Sequence, residues 1–182
     1  MRTLQRPGGD DTPMRLVRGV TTPALAAGAV AISVNTLLLK AADWVHVDIG
    51  HGGLLKLLQQ WVGPALAHLG LGRVWDSLPV PAVGTPGFKI GFHIVVGLAM
   101  AMVYGLLLEP LLPRTVPAAT KGLLYALLVW LANAAMVLPA LGQGFAGIHV
   151  LSVDGVLYFA FAHTMFFLLL ALVYERLHPG TA

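Results

Sequence analysis

Charge is what this sequence has least of. Charged side chains make up 10% of its 182 residues and apolar ones 57%, whereas a soluble domain carries about 25% charged residues to keep its surface wet. A watery fold of this composition would leave large apolar patches exposed, so lipid is the solvent the chain calls for. Cysteine is absent altogether. That excludes a disulfide framework, a thiolate metal site and a thiol nucleophile, and leaves only His, Asp or Glu to hold any metal. The eleven Lys and Arg residues form no basic stripe, which argues against a nucleic-acid partner. No G-x-S-x-G, Walker loop, dinucleotide-binding glycine fingerprint or H-E-x-x-H occurs, so none of the motif-bearing enzyme classes is indicated. The reading favours a non-enzymatic structural or partner subunit, or a small permeation or sensing protein.

What the chain does have is apolar length. Crossing about 30 Å of hydrocarbon takes roughly 20 residues at 1.5 Å each. Four uncharged runs qualify: 19–39, ended by Lys40; 90–108, between Lys89 and Glu109; 122–141, after Lys121; and 155–174, between Asp154 and Glu175. The expectation is an all-α, integral membrane four-helix bundle with spans at about 19–41, 88–109, 121–141 and 154–175. The first run follows Arg15 and Arg18 as a signal peptide would, but it is long and has no convincing small-x-small cleavage site, so it reads as an uncleaved anchor. Residues 1–18, opening MRTLQRPGGDDTP, are read as a disordered cytoplasmic tail, with Met14 an alternative start.

Basic residues orient the bundle. Arg2, Arg6, Arg15, Arg18, Arg114, Lys121 and Arg176 fall on one side, against Lys40, Lys56, Arg73 and Lys89 on the other, which places both termini in the cytoplasm of a bacterial inner membrane. In the long first outer loop, Leu54, Leu57, Leu58, Trp61, Ala65, Leu66 and Leu69 recur at helical spacing, with Lys56, Gln59, Gln60 and Gly63 opposite. That pattern predicts an amphipathic helix over about 53–69 lying on the membrane surface, Pro64 and the polar stripe arguing against a fifth span. Tyr104, Tyr125, Tyr174, Trp44, Trp61 and Trp75 lie near expected water boundaries and read as belt aromatics. Glu109 and Glu175 read as helix terminators.

Two spans share a pattern. His93 precedes Tyr104 by eleven residues, and His163 precedes Tyr174 by eleven; this is three turns plus about 20°, so each His shares a helix face with its Tyr. Asn35 and Asn133 occupy the outward halves of spans one and three. A duplicated helix hairpin, with the surface helix inserted in the first copy, is one reading, and chance similarity among degenerate apolar segments is the other. Counting from the nearest span ends puts Asn35, His93, Asn133 and His163 in one layer, roughly 6–14 Å below the outer face. Polar groups at that depth turn toward partners inside the bundle. They are either hydrogen-bonding glue between helices or a ligand, proton or metal site. The two imidazoles could also hold one b-type haem between them, since no Cys-x-x-Cys-His attachment exists. Asp43, His46, Asp48 and His51, with His149 and Asp154, are weaker metal candidates because irregular spacing fixes no geometry. Solvated interface residues and a helix cap are the competing reading. Small-residue faces such as Ala24, Gly28 and Ala31 offer contacts within the bundle, to a second copy, or to a membrane-protein partner.

The runs FHIVVGLAMAMVYGLLLEPLLP, TKGLLYALLVWLANAAMVLPALG and YFAFAHTMFFLLLALVYERL resemble the YagU-like group of uncharacterised bacterial inner-membrane proteins. The resemblance covers about residues 88–177. It rests on His93 with Tyr104 eleven residues later, Glu109 beyond it, the Lys-Gly-Leu-Leu entry to span three, the Pro139 exit and His163; residues 1–87 match only in layout. The resemblance implies a multi-span inner-membrane protein of unassigned activity, and it brings no catalytic or binding residues.

Overall fold

The computed structural model describes residues 12–49, 53–71 and 85–178. Every regular element among them is helical: α1 (Thr12–Trp44), α2 (Gly53–His68), α3 (Pro86–Leu111), α4 (Ala118–Ala140) and α5 (Val153–Leu177), with a single 3-10 turn at Phe145–Gly147. Gly19–Trp44 of α1 and the whole of α3, α4 and α5 are long and apolar enough to cross a membrane. Only 22–33% of each apolar stretch is buried inside the bundle. The outward residues are large and apolar, including Leu37, Val95, Leu107, Leu128, Met136 and Leu157. Water would make such a surface untenable and lipid makes it neutral, so the chain is a multi-pass membrane protein.

The helices begin and stop for local reasons. Thr85 caps α3 by accepting from the Phe88 N–H at 3.3 Å, with Pro86 where no helical donor is needed. Ser152 caps α5 by accepting from the Gly155 N–H at 3.1 Å, and Asp154 faces the positive end of the helix dipole. α1, α2 and α4 each stop in a Schellman motif: the N–H groups of Val47, Leu71 and Gln143 return to the carbonyls of Ala42, Leu66 and Leu138. The residue that must turn left-handed is glycine twice, Gly70 and Gly142, and His46 (φ 55°) once. The helix of the tail differs from expectation. It starts at Thr12, so 12–18 are helical, and Pro13 sits in the first turn, where its missing N–H costs nothing. Residues 1–11 lie outside the described residues.

Neighbouring spans are antiparallel and ordered α3, α1, α5, α4 across the bundle. α1 meets α3 through small residues set four apart. A Cβ on Gly28 would lie 2.5 Å from Ala101 Cβ, one on Gly97 would lie 2.5 Å from Ile32 Cδ1, and one on Gly105 would lie 3.0 Å from Ala24 Cβ. Without a hydrophobic force between helices in lipid, this close approach is what holds them. α4 meets α5 in the same way: a Cβ on Gly122 would lie 2.7 Å from the carbonyl oxygen of Phe167. α1 and α5 are joined by Asn35 Nδ2 donating to the Ala162 carbonyl at 2.8 Å and Tyr158 donating to the Leu38 carbonyl at 2.7 Å. The helix expected over about 53–69 is α2, Gly53–His68. Leu55 is buried, while Leu58, Trp61 and Leu69 present an uncovered apolar edge.

The three tyrosines are not belt residues. Tyr104, Tyr125 and Tyr174 are 1–2% exposed and form the centre of the core. Tyr174 meets Tyr104 edge-on at 5.5 Å, Tyr104 lies 6.0 Å from Tyr125, and Tyr125 meets Phe167 at 4.5 Å. The face that His93 shares with Tyr104, and His163 with Tyr174, is the inward face, which proximity to the helix ends had concealed.

Candidate functional site

Two polar regions lie within the bundle, one near each end. At the end that holds the α1 amino-terminal half, Lys121 Nζ stands 3.3 Å from Glu109 Oε1, both side chains nearly enclosed at 4% and 8% residue exposure. Sequence reading treats Glu109 as a helix terminator and Lys121 as a basic flank, and the structure corrects both. α3 runs on to Leu111, and Glu109 turns inward. The cause is Pro110, which has no N–H for the Leu106 carbonyl and whose ring crowds it. The chain relieves this with a π turn at Tyr104–Leu108, in which the Glu109 N–H bonds to the Tyr104 carbonyl. In an α-helix, position i+5 points about 140° away from i. A π turn stacks the two on one side, so Glu109 joins the buried face of Tyr104. α4 carries a second π turn, Asn133–Val137, at the same distance before its own Pro139. The signal for the pair was present in the sequence: opposite charges near the facing ends of consecutive spans joined by a short loop.

Tyr104, Glu109, Ala118, Lys121, Tyr174 and Glu175 line a narrow cleft, open on one side, with no enclosed space for a water molecule. The Tyr174 hydroxyl is buried there with no hydrogen-bond partner among the described residues. Lys121 makes a single side-chain hydrogen bond among the described residues, although its ammonium has three donors. A buried ion pair offsets its desolvation only when its remaining donors and acceptors are filled. This pair is under-filled.

The other region holds the layer expected from depth. Asn35 is 2% exposed and spends its amide on the Ala162 carbonyl. His163, the next residue along α5, pairs its Nδ1 with the Phe159 carbonyl at 2.9 Å, which makes Nδ1 the protonated nitrogen and leaves Nε2 as an acceptor. His93 lies one turn before Gly97, which packs on Ile32 one turn before Asn35, and among the described residues His93 Nε2 is buried without a partner. Asn35, His93 and His163 thus share one region. Asn133 opens the second π turn and is half-buried, and among the described residues no side-chain hydrogen bond ties it to the other three. A haem held by both imidazoles would have to lie between α3 and α5. At this level α1 packs directly on both, Ile32 against Gly97 and Asn35 onto Ala162. The residues present fit interhelical bonding better than a macrocycle.

Among the described residues no three His, Asp or Glu side chains gather to hold a metal. His46 is the left-handed residue that closes α1. The His149 ring packs on Gly144, where a Cβ would lie 2.9 Å from it, and its Nδ1 is 3.4 Å from the Gly142 carbonyl oxygen. The Asp48 carbonyl abuts Gly155 in α5. Asp43 and Asp154 are exposed, and His51 lies outside the described residues. No family model, curated protein or solved structure matches the chain.

Proposed function

We propose that this protein is a non-enzymatic structural or partner subunit of a bacterial inner membrane, with both termini in the cytoplasm. The observation that carries the reading is the filled interior. Between the cleft and the polar layer, Tyr104, Tyr125, Phe166, Phe167 and Leu170 are 0–4% exposed and packed together. Polar side chains around them bond to neighbouring backbone: Asn35 to Ala162, Tyr125 to the Met100 carbonyl at 3.1 Å, and Tyr158 to Leu38. Such an interior holds helices together and offers a permeating ion no continuous polar path. The orientation draws support from Arg114 and Arg176, both exposed at the end shared by the two termini, and the membrane assignment from the YagU-like resemblance. The convergence of Tyr104 with Tyr174 supports a duplicated hairpin.

Two measurements test this reading. Proteoliposomes should show no proton or potassium flux above protein-free vesicles, and a flux would favour a permeation subunit instead. Light scattering on the protein extracted in mild detergent should give a complex heavier than one 19.2 kDa chain, formed with itself or another membrane protein; a monodisperse single chain would overturn the subunit reading. The alternative, a redox subunit with b-type haem on His93 and His163, requires a Soret band in the purified protein or after haem addition.

A further inference from the structure

We propose that the cleft of Glu109, Lys121, Tyr174 and Glu175 binds the headgroup of a zwitterionic, amine-bearing phospholipid, of the phosphatidylethanolamine type. The inference rests on the chain spanning a membrane and not on its role as a subunit.

The placement comes first. Glu109 follows the π turn near the close of α3, Lys121 is the fourth residue of α4, and Glu175 is two residues from the end of α5. The cleft therefore sits where three spans leave the hydrocarbon, at the depth of lipid headgroups. Its lining is charged at Glu109, Lys121 and Glu175 and aromatic at Tyr104 and Tyr174, and its open side is on the surface of the bundle.

The chemistry of the lining decides the ligand class. With Glu109 and Glu175 against Lys121, the cleft carries one net negative charge. An anionic headgroup would deepen that charge. A simple cation would neutralise it but leave the two remaining Lys121 donors and the Tyr174 hydroxyl without acceptors. Among the described residues Lys121 bonds only to Glu109, at 3.3 Å, and Tyr174 bonds to nothing although it is 1% exposed. A headgroup bearing both a phosphate and a primary ammonium answers both needs. The phosphate accepts from Lys121 and, once the mouth admits it, from the Tyr174 hydroxyl, while the ammonium donates to Glu175 at the rim. A quaternary choline has the same charge but no N–H to give, so the lining discriminates between the two zwitterions through the carboxylate.

The test is native mass spectrometry of the full chain in detergent, titrated with phosphatidylethanolamine, phosphatidylcholine and phosphatidylglycerol of matched acyl chains. The wild type should retain phosphatidylethanolamine about threefold more than either other lipid, the order of one partly exposed ion pair. Tyr174→Phe and Glu175→Gln should lower that preference toward one while leaving the unfolding midpoint unchanged, because among the described residues neither group makes a hydrogen bond or close ion pair that would be lost. Equal retention of the three lipids, a preference for the glycerol lipid, or full preference retained in both variants would each overturn the proposal. Soluble phosphoethanolamine competing at micromolar concentration would show a free zwitterion, not a lipid, to be the ligand.

Discussion

Breaking the Glu109–Lys121 pair is the sharpest perturbation the structure offers. At 3.3 Å, in surroundings with an effective dielectric constant of about 20, the attraction between unit charges is about 5 kcal/mol. Removing both charges from water offsets most of this, so the net worth of the pair is small. The cost of breaking it from one side is larger. Lys121→Met leaves a carboxylate enclosed with no cation, and Glu109→Gln leaves an ammonium with a neutral neighbour; each should cost about 2–4 kcal/mol. The double variant leaves no buried charge and should lie within about 1 kcal/mol of the wild type. A double-mutant cycle read by sodium dodecyl sulfate unfolding in mixed micelles, followed by tryptophan fluorescence, measures the coupling. Additive single costs, or single variants within about 0.5 kcal/mol of wild type, would mean that the two charges are solvated separately and that the π turn does not deliver Glu109 to Lys121.

Further perturbations probe other contacts. Asn35→Leu removes the 2.8 Å bond to the Ala162 carbonyl and should cost about 0.6–2 kcal/mol, the range for interhelical bonds in lipid, measured by the same unfolding assay. Alanine at four glycines should rank by what the new methyl meets. Gly28→Ala, Gly97→Ala and Gly122→Ala press on the Ala101 Cβ, on Ile32 from its Cδ1 back to its Cβ, and on the Phe167 carbonyl oxygen, and should each cost about 1–3 kcal/mol, whereas an alanine at Gly91 meets nothing within 4 Å and should cost nothing. His46→Gly should hold or raise stability by up to about 1 kcal/mol, because the left-handed position strains any side chain. Wild-type stability that rises with added zinc, with no such rise in His46→Gly, would instead identify His46 as a ligand.

Composition alone determined the solvent of this protein. Too few charges to cover a watery surface, and four uncharged runs of membrane-spanning length, leave a helical bundle in lipid as the consistent outcome, because an unpaired backbone cannot cross hydrocarbon in any other open form. The eleven-residue spacing from His93 to Tyr104 and from His163 to Tyr174 likewise determined that each pair shares a face, since helical periodicity is a local property. Which way that face turns was a tertiary matter. It depended on Gly28, Gly97, Gly105 and Gly122 letting backbones approach, and it carried the tyrosines into the core when their nearness to the helix ends pointed to the membrane boundary. Glu109 shows the limit most clearly. Read at 3.6 residues per turn it leaves the face of Tyr104 and looks like a terminator. The π turn forced by Pro110 returns it to that face, and the hairpin to α4 then supplies the charge that makes its burial tolerable.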